Sequence, residues 1–297
     1  MIKNKTILNG LAAVVMAAFV QGCWHEDLSE CEENVVKLTL GLERLPGSTE
    51  NPDFATEVDR ARYFIFNDSL NTLSAQGTVD VSKADGPVCD MSVHDLPLGK
   101  YTMVVVANDN RWTTGNDSPS VPDEITVANG EAGEKSSYVK RYSFTHECEC
   151  GFSDYVTLYR TDALVKLRLL NIPEYIKGGN ITVTNVAETC RPDSLFSGST
   201  NMDVVFGKEE EKDCNIEKWF SVFPSADDSG SYVWLNISVD NGGSLETVLE
   251  RVGRLWLKRN SINEIIVNFN SGNPFSPEIT IEVDKEWDGT DDIIFDI

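Results

Sequence analysis

The 297-residue chain carries 25 basic and 48 acidic residues, a formal charge of −23, and 41% of its residues are apolar. That is too apolar for a disordered acidic tail, and the charge excludes broad phosphate-backbone binding because nucleic acid would be repelled at long range. Only His25, His94 and His146 are available, too few for a His-built metal cage or a His-driven active site.

Lys3 and Lys5 open the chain, an apolar stretch runs from Ile7 to Val20, and Val20-Gln21-Gly22-Cys23 closes it. A basic start, a short apolar segment and a small residue before the cut predict a secretory signal over 1–22. The stretch falls short of the roughly 20 apolar residues of a membrane span. A Cys directly after the small residue reads as a lipobox, with diacylglycerol on Cys23 and the mature chain hanging from a membrane. Several acyl chains on one Cys suffice for stable anchoring. Cleavage there would leave 23 basic against 48 acidic residues, a mature charge of −25. Residues 23–33 are acidic and poor in core formers, and read as a solvated tether.

From there the dominant period is two. Val36, Leu38, Leu40 and Leu42 alternate with polar or small residues, as a half-buried strand requires. Ala61 to Phe66 is β-rich and ends in the turn signal Asn67-Asp68. Pro97 to Lys100 turns into Tyr101 to Val106, a nearly continuous apolar run that suits a central strand. Asn108 to Asp123 reads as a long loop holding Trp112, and Tyr138 to Phe144 as a closing strand. The pattern pauses at Cys148-Glu149-Cys150-Gly151, which places a domain boundary between residues 150 and 151.

The second half restarts the same grammar. Ala163, Val165, Leu167 and Leu169 alternate, followed by Ile181 to Val186, Trp219 to Phe223, and Val233 to Val239. Asp240-Asn241-Gly242-Gly243 is a strong hairpin turn, because Asn-Gly tolerates positive φ, and Leu245 to Leu249 is its return strand. Ile265 to Phe269 and Ile279 to Val283 complete the set. Helical periodicity is nearly absent, so the predicted fold is all-β: a sandwich over 34–150 and a second over 151–297.

Catalytic signatures are missing. There is no Gly-x-Ser-x-Gly elbow, and Asp227-Asp228-Ser229-Gly230 reads as a turn. His146 near Cys148 is a weaker reading than disulfide formation. The loop from Asp284 begins like a calcium loop but has Phe295 at the twelfth position and no flanking helices. The sequence therefore predicts neither an enzyme nor a cofactor. Asp68-Ser69-Leu70 and Asp193-Ser194-Leu195 resemble a short bacterial O-glycosylation signal. Six Cys remain after lipidation, and in an exported protein they permit disulfides. Cys190 and Cys214 fall in one predicted domain and form a plausible pair. Cys148 and Cys150 are poorly placed to bond each other.

The opening Cys23-Trp24-His25-Glu26-Asp27-Leu28-Ser29-Glu30-Cys31 resembles that of the FimB-like anchor lipoproteins of Bacteroidales fimbriae, with Asp27, Leu28, Ser29 and Cys31 as the shared motif. Tyr63 to Asp68, Leu98-Gly99-Lys100-Tyr101 through Ala107-Asn108, and the strands near Asn263 to Asn268 and Ile279 to Trp287 resemble later parts of the family in order. The resemblance implies two tandem transthyretin-like sandwiches and a lipid-anchored place in the outer membrane, exposed at the cell surface. It also implies a structural role, anchoring or terminating a fimbria whose subunits join by β-strand addition. The acidic residues after Cys23 resemble the surface-export signal of that bacterial order. A glycan-binding lipoprotein using Trp112 is the alternative.

Overall fold

The computed structural model describes residues 35–109, 118–130, 135–147, 151–227, 229–241, 244–269 and 278–283. Cys23, the Asp27 to Cys31 motif, Trp112, Cys148, Cys150 and the loop from Asp284 lie outside the described residues. Among the described residues helix is confined to short pieces such as α1 (Phe54–Glu57), where Asp53 caps the Thr56 amide at 2.8 Å.

Strand β1 (Val35–Leu42) keeps its predicted alternation: Val36, Leu38, Leu40 and Leu42 all enter the first core. It lies between two partners, antiparallel to β4 (Val88–His94) and parallel to β8 (Phe152–Arg160). Opposite stands an antiparallel row in the order β3 (Thr72–Val79), β2 (Ala61–Asn67), β5 (Gly99–Ala107), β7 (Tyr138–His146). The two rows join at one corner, where Tyr138 and Val139 of β7 pair with Arg160 and Tyr159 of β8. Between them pack Phe54, Ile65, Tyr101, Met103, Val105, Tyr138, Val156 and Leu158.

The second half repeats the plan. Strand β9 (Ala163–Leu170) is antiparallel to β14 (Ile216–Val222) and parallel to β17 (Ile262–Asn268), which also pairs with β18 (Glu278–Val283). The facing row runs β13 (Thr200–Gly207), β10 (Ile176–Val186), β15 (Ser231–Asn241), β16 (Ser244–Leu255). Asn241 pairs with Ser244 across the predicted hairpin turn. Among the described side chains its core draws on residues between Ala163 and Phe269. A third, small sheet of β6 (Val127–Ala128), β11 (Thr189–Cys190) and β12 (Phe196–Ser197) takes strands from both halves.

Two sequence expectations are corrected. Strand β8 pairs with β1 along its length and sends Val156 and Leu158 into the first core, so that half runs past the boundary placed at 150/151. After half-buried Phe152 come three exposed residues, Ser153, Asp154 and Tyr155, which hide the strand's apolar alternation. Cys190 and Cys214 are free thiols. Cys214 precedes β14 and offers its carbonyl to Ile172, whereas Cys190 is buried with Phe223, which follows β14. The two thus lie beyond opposite ends of a seven-residue strand, roughly 20 Å or more, whereas a disulfide needs Cα atoms within about 7 Å.

Candidate interaction site

The motif residues legible in the sequence prove to be structural fasteners. Tyr101 is fully buried, and its hydroxyl donates to the Pro97 carbonyl at 2.6 Å, pinning the turn that feeds β5. Asn67, opposite Tyr101 in register, accepts from the Ser69 and Leu70 amides at 3.0 Å each. It closes the Asx turn that leads to β3. Asn108 sits at φ 59° and its side chain makes three hydrogen bonds. Its amide donates to the Glu57 and Ser136 carbonyls at 2.7 and 2.8 Å, and its oxygen accepts from Asp59 N at 2.9 Å. It ties together α1, the entry to β2 and the entry to β7.

The two halves are joined by an apolar cluster that neither core contains. Phe64, Phe66, Val104, Val106, Ile125, Val127 and Val139 of the first half meet Ala187, Cys190 and Phe223 of the second. Phe196 stacks edge-on against Phe223 with centroids 5.7 Å apart. Polar bonds run around this cluster: Phe223 N to Asn129 Oδ1 at 3.1 Å, Asn129 N to the Glu188 carbonyl at 2.9 Å, and Ser136 Oγ to Ser221 Oγ at 3.0 Å. Asp123 takes Arg141 from the first half and Arg191 from the second, at 2.8 and 3.1 Å. On the far side, Arg259 meets Glu43 at 2.7 Å, and Asn260 donates to the Arg44 carbonyl at 2.8 Å.

The linker Arg160-Thr161-Asp162 passes through the middle of this junction, fully buried. Arg160 donates to Ser136 Oγ and to Tyr138 Oη (2.6 Å), and has Glu57 at 3.6 Å and Asp162 at 3.7 Å. Burial pushes the Asp162 carboxyl up to about 6, against the opposing pull of Arg160. Burial likewise raises the Tyr138 hydroxyl. The Cys190 thiol is pushed up to about 12 by burial, so it is an inert packing group at neutral pH. Among the described residues no cluster of three or more His, Cys, Asp or Glu could hold a metal. A cavity of about 130 Å³ beside Asn67 and Arg141 is well below the usual volume of a small-molecule site.

No family model and no curated protein matches the chain at the sequence level. Solved structures match it over most of its length. The fimbrial anchor protein Mfa2 from Porphyromonas gingivalis superposes with a TM-score of 0.54 at 10% identity, covering 84% of this chain and 97% of that one. The chain shares the fold of that protein. A candidate cell-adhesion protein from Bacteroides eggerthii gives 0.56 at 11% identity, over 84% and 96% of the two chains. A candidate adhesin from Bacteroides ovatus gives 0.54 at 13%, over 84% and 95%. Sequence reasoning anticipated this fold class but missed the junction, because no local pattern marks Arg160, Asp162, Asn129 or Ser221 as partners.

Proposed function

We propose that the chain is an outer-membrane lipoprotein, held by lipid on Cys23, that anchors or terminates a cell-surface fimbria through strand-mediated subunit contacts. The observation that carries this reading is the fold shared with a fimbrial anchor along nearly that protein's whole length. The lipobox and the Asp27-Leu28-Ser29-Glu30-Cys31 motif stand immediately upstream of it. Two transthyretin-like domains meet at Arg160 to Asp162. Cys23 precedes Val35 by twelve residues, so the tether spans at most about 40 Å from lipid to β1. The junction suits a part under tension: load entering either half crosses an apolar cluster, a shared sheet and a buried Arg rather than a free linker. The mature charge keeps a protein with open sheet edges from self-association.

Deleting the gene tests the reading. Filaments released into the medium, with few left on the cells, are the expected result. Cys23→Ala gives the same release and abolishes metabolic labelling of the protein by fatty acid. Filaments unchanged in number, length and attachment would overturn the anchoring role.

A further inference from the structure

We propose that the outer edge of β3, over Ala75 to Val79, is the acceptor for an extended, uncharged segment of a filament subunit, a step that rests on the anchoring reading. The two halves allow an internal comparison of edges. Among the described residues the sheet edges formed by strands longer than two residues are β3, β4, β13, β14, β16 and β18. All but β3 carry at least one charged residue: Asp90, Asp203, Glu217 and Lys218, Glu246 to Arg254, and Glu278 and Glu282. Strand β3 reads Thr-Leu-Ser-Ala-Gln-Gly-Thr-Val, with no charge and no proline. Charge on an edge is a standard guard against foreign strands, and here it is missing from one edge of a chain at −23.

The counterpart of β3 in the second half is β13, and its outer backbone is occupied by side chains. Lys218 Nζ donates to the Val205 carbonyl, and Gly207 N donates to Glu210 Oε1 at 3.2 Å. Among the described residues no side chain caps the backbone of β3; Gln76 reaches only sideways, to Ser118 Oγ at 3.2 Å. The register shift opposite Ile65 and Phe66 confines regular pairing to Ala75 through Val79. Along that stretch the inward residues Ala75 and Gly77 are small and only half buried, and the Tyr63 ring lies across Gly77. The core layer therefore thins towards the edge. A strand with bulky apolar side chains at alternate positions would complete it, while its main chain pairs with β3. A second copy of this chain is the poorer occupant, because it would bring another −23 alongside.

A photo-crosslinking residue placed at Gln76 or Thr78 in intact cells, with Asn201 and Asp203 on β13 as matched controls, tests the assignment. The expected result is an adduct with a filament subunit from both β3 positions, mapping to partner residues two apart, and none from β13. Gln76→Lys, an exposed change that leaves the melting temperature unaltered, should lower the adduct from Thr78 about tenfold. Filaments lost from the deletion strain but crosslinked elsewhere than β3 would overturn this edge and leave the anchoring role standing. Adducts joining two copies of this chain would also overturn the assignment. No adduct with any filament subunit, together with filaments unchanged on deletion, would overturn both.

Discussion

Strands β5 and β15 hold equivalent places in the two halves, yet they are built differently. From Tyr101 to Ala107 every residue of β5 is buried, whereas Val233, Leu235 and Ile237 of β15 alternate with half-exposed Tyr232, Trp234 and Asn236. The cause is the second layer laid on β5. Met103 and Val105 face the first core, while Val104 and Val106 face the cluster shared with the other half. Strand β15 has only one covered face, so it keeps a period of two. A continuous apolar run thus marked the junction between halves, not merely the middle of a sheet. The halves differ again at their seams. In the second, β18 pairs with β17 and reaches towards β16. In the first, β7 and β8 pair only at one corner, and beyond it Tyr142 bonds Asp154 while Phe144 stacks on Phe152 at 5.2 Å. One gap is filled by a strand, the other by aromatic side chains.

The largest expected effect comes from uncoupling the halves. Arg160→Met leaves Asp162 and Glu57 without their buried cation, and removing one member of such a group costs about 3–5 kcal/mol. By calorimetry the parent protein should melt in one transition and the variant in two, with the first half melting earlier, because Arg160 also holds Ser136 and Tyr138. A single transition at an unchanged temperature would mean the apolar cluster alone couples the halves.

Opening the aromatic seam should act on one half only. Phe144 is buried and stacks with Tyr101, Tyr142 and Phe152 at 5.6, 5.9 and 5.2 Å. Phe144→Ala should cost about 3–4 kcal/mol. Hydrogen exchange should quicken in β5, β7 and β8 and stay unchanged in β15 to β17.

The pH dependence of the junction is of similar or smaller size. Asp162 titrates near 6 in the folded chain, above its ordinary value of 3.8. The folded state therefore holds a proton that the unfolded state has released between those values. This group's contribution is fully present below about pH 4 and is lost as pH rises through about 6, with an upper bound of about 3 kcal/mol. Surface carboxylates have their own pH dependence, so the test is a difference: stability of the parent minus that of Asp162→Asn should fall between pH 4 and pH 6.5. A flat difference would show that Arg160 holds Asp162 ionised throughout.

Most strands were legible in the sequence: apolar alternation marked β1, β9, β15, β17 and β18, β-rich or continuous apolar runs marked β2, β5, β7, β10 and β14, and the hairpin turn marked β16. Strands β3, β4 and β13 went unnoticed: the inward residues Ala75 and Gly77 of β3 are small, and the inward sets of β4 and β13 (Cys89, Met91, Val93; Met202, Val204, Phe206) open with Cys or Met rather than with β-branched or aromatic residues. Strand β8 was missed because three exposed residues follow Phe152 and its partner, β1, lies more than a hundred residues away and parallel. The supposed Cys190–Cys214 bridge failed for a related reason: closeness in sequence says nothing about which end of a strand each loop occupies. The turn residues fared better. Asn67 and Tyr101 lie in stretches that carry the family resemblance, and each makes a local bond that a short stretch of sequence can encode, whereas Asn108, in the same stretch as Tyr101, bonds Glu57, Asp59 and Ser136 far away in the chain.

Tyr101 offers the finest test of that distinction. Its ring lies in the first core, and its hydroxyl donates to the Pro97 carbonyl. Tyr101→Phe keeps the ring and its stacking on Phe144 but leaves that carbonyl without its donor. The loss should be about 1 kcal/mol, the size of one hydrogen bond whose acceptor can still find water. Tyr101→Leu should cost more, because the stacking goes as well. If the two variants were equally destabilised in thermal unfolding, the hydroxyl rather than the ring would be what fixes the turn into β5. The motif would then encode a hook in the main chain, independent of the core behind it.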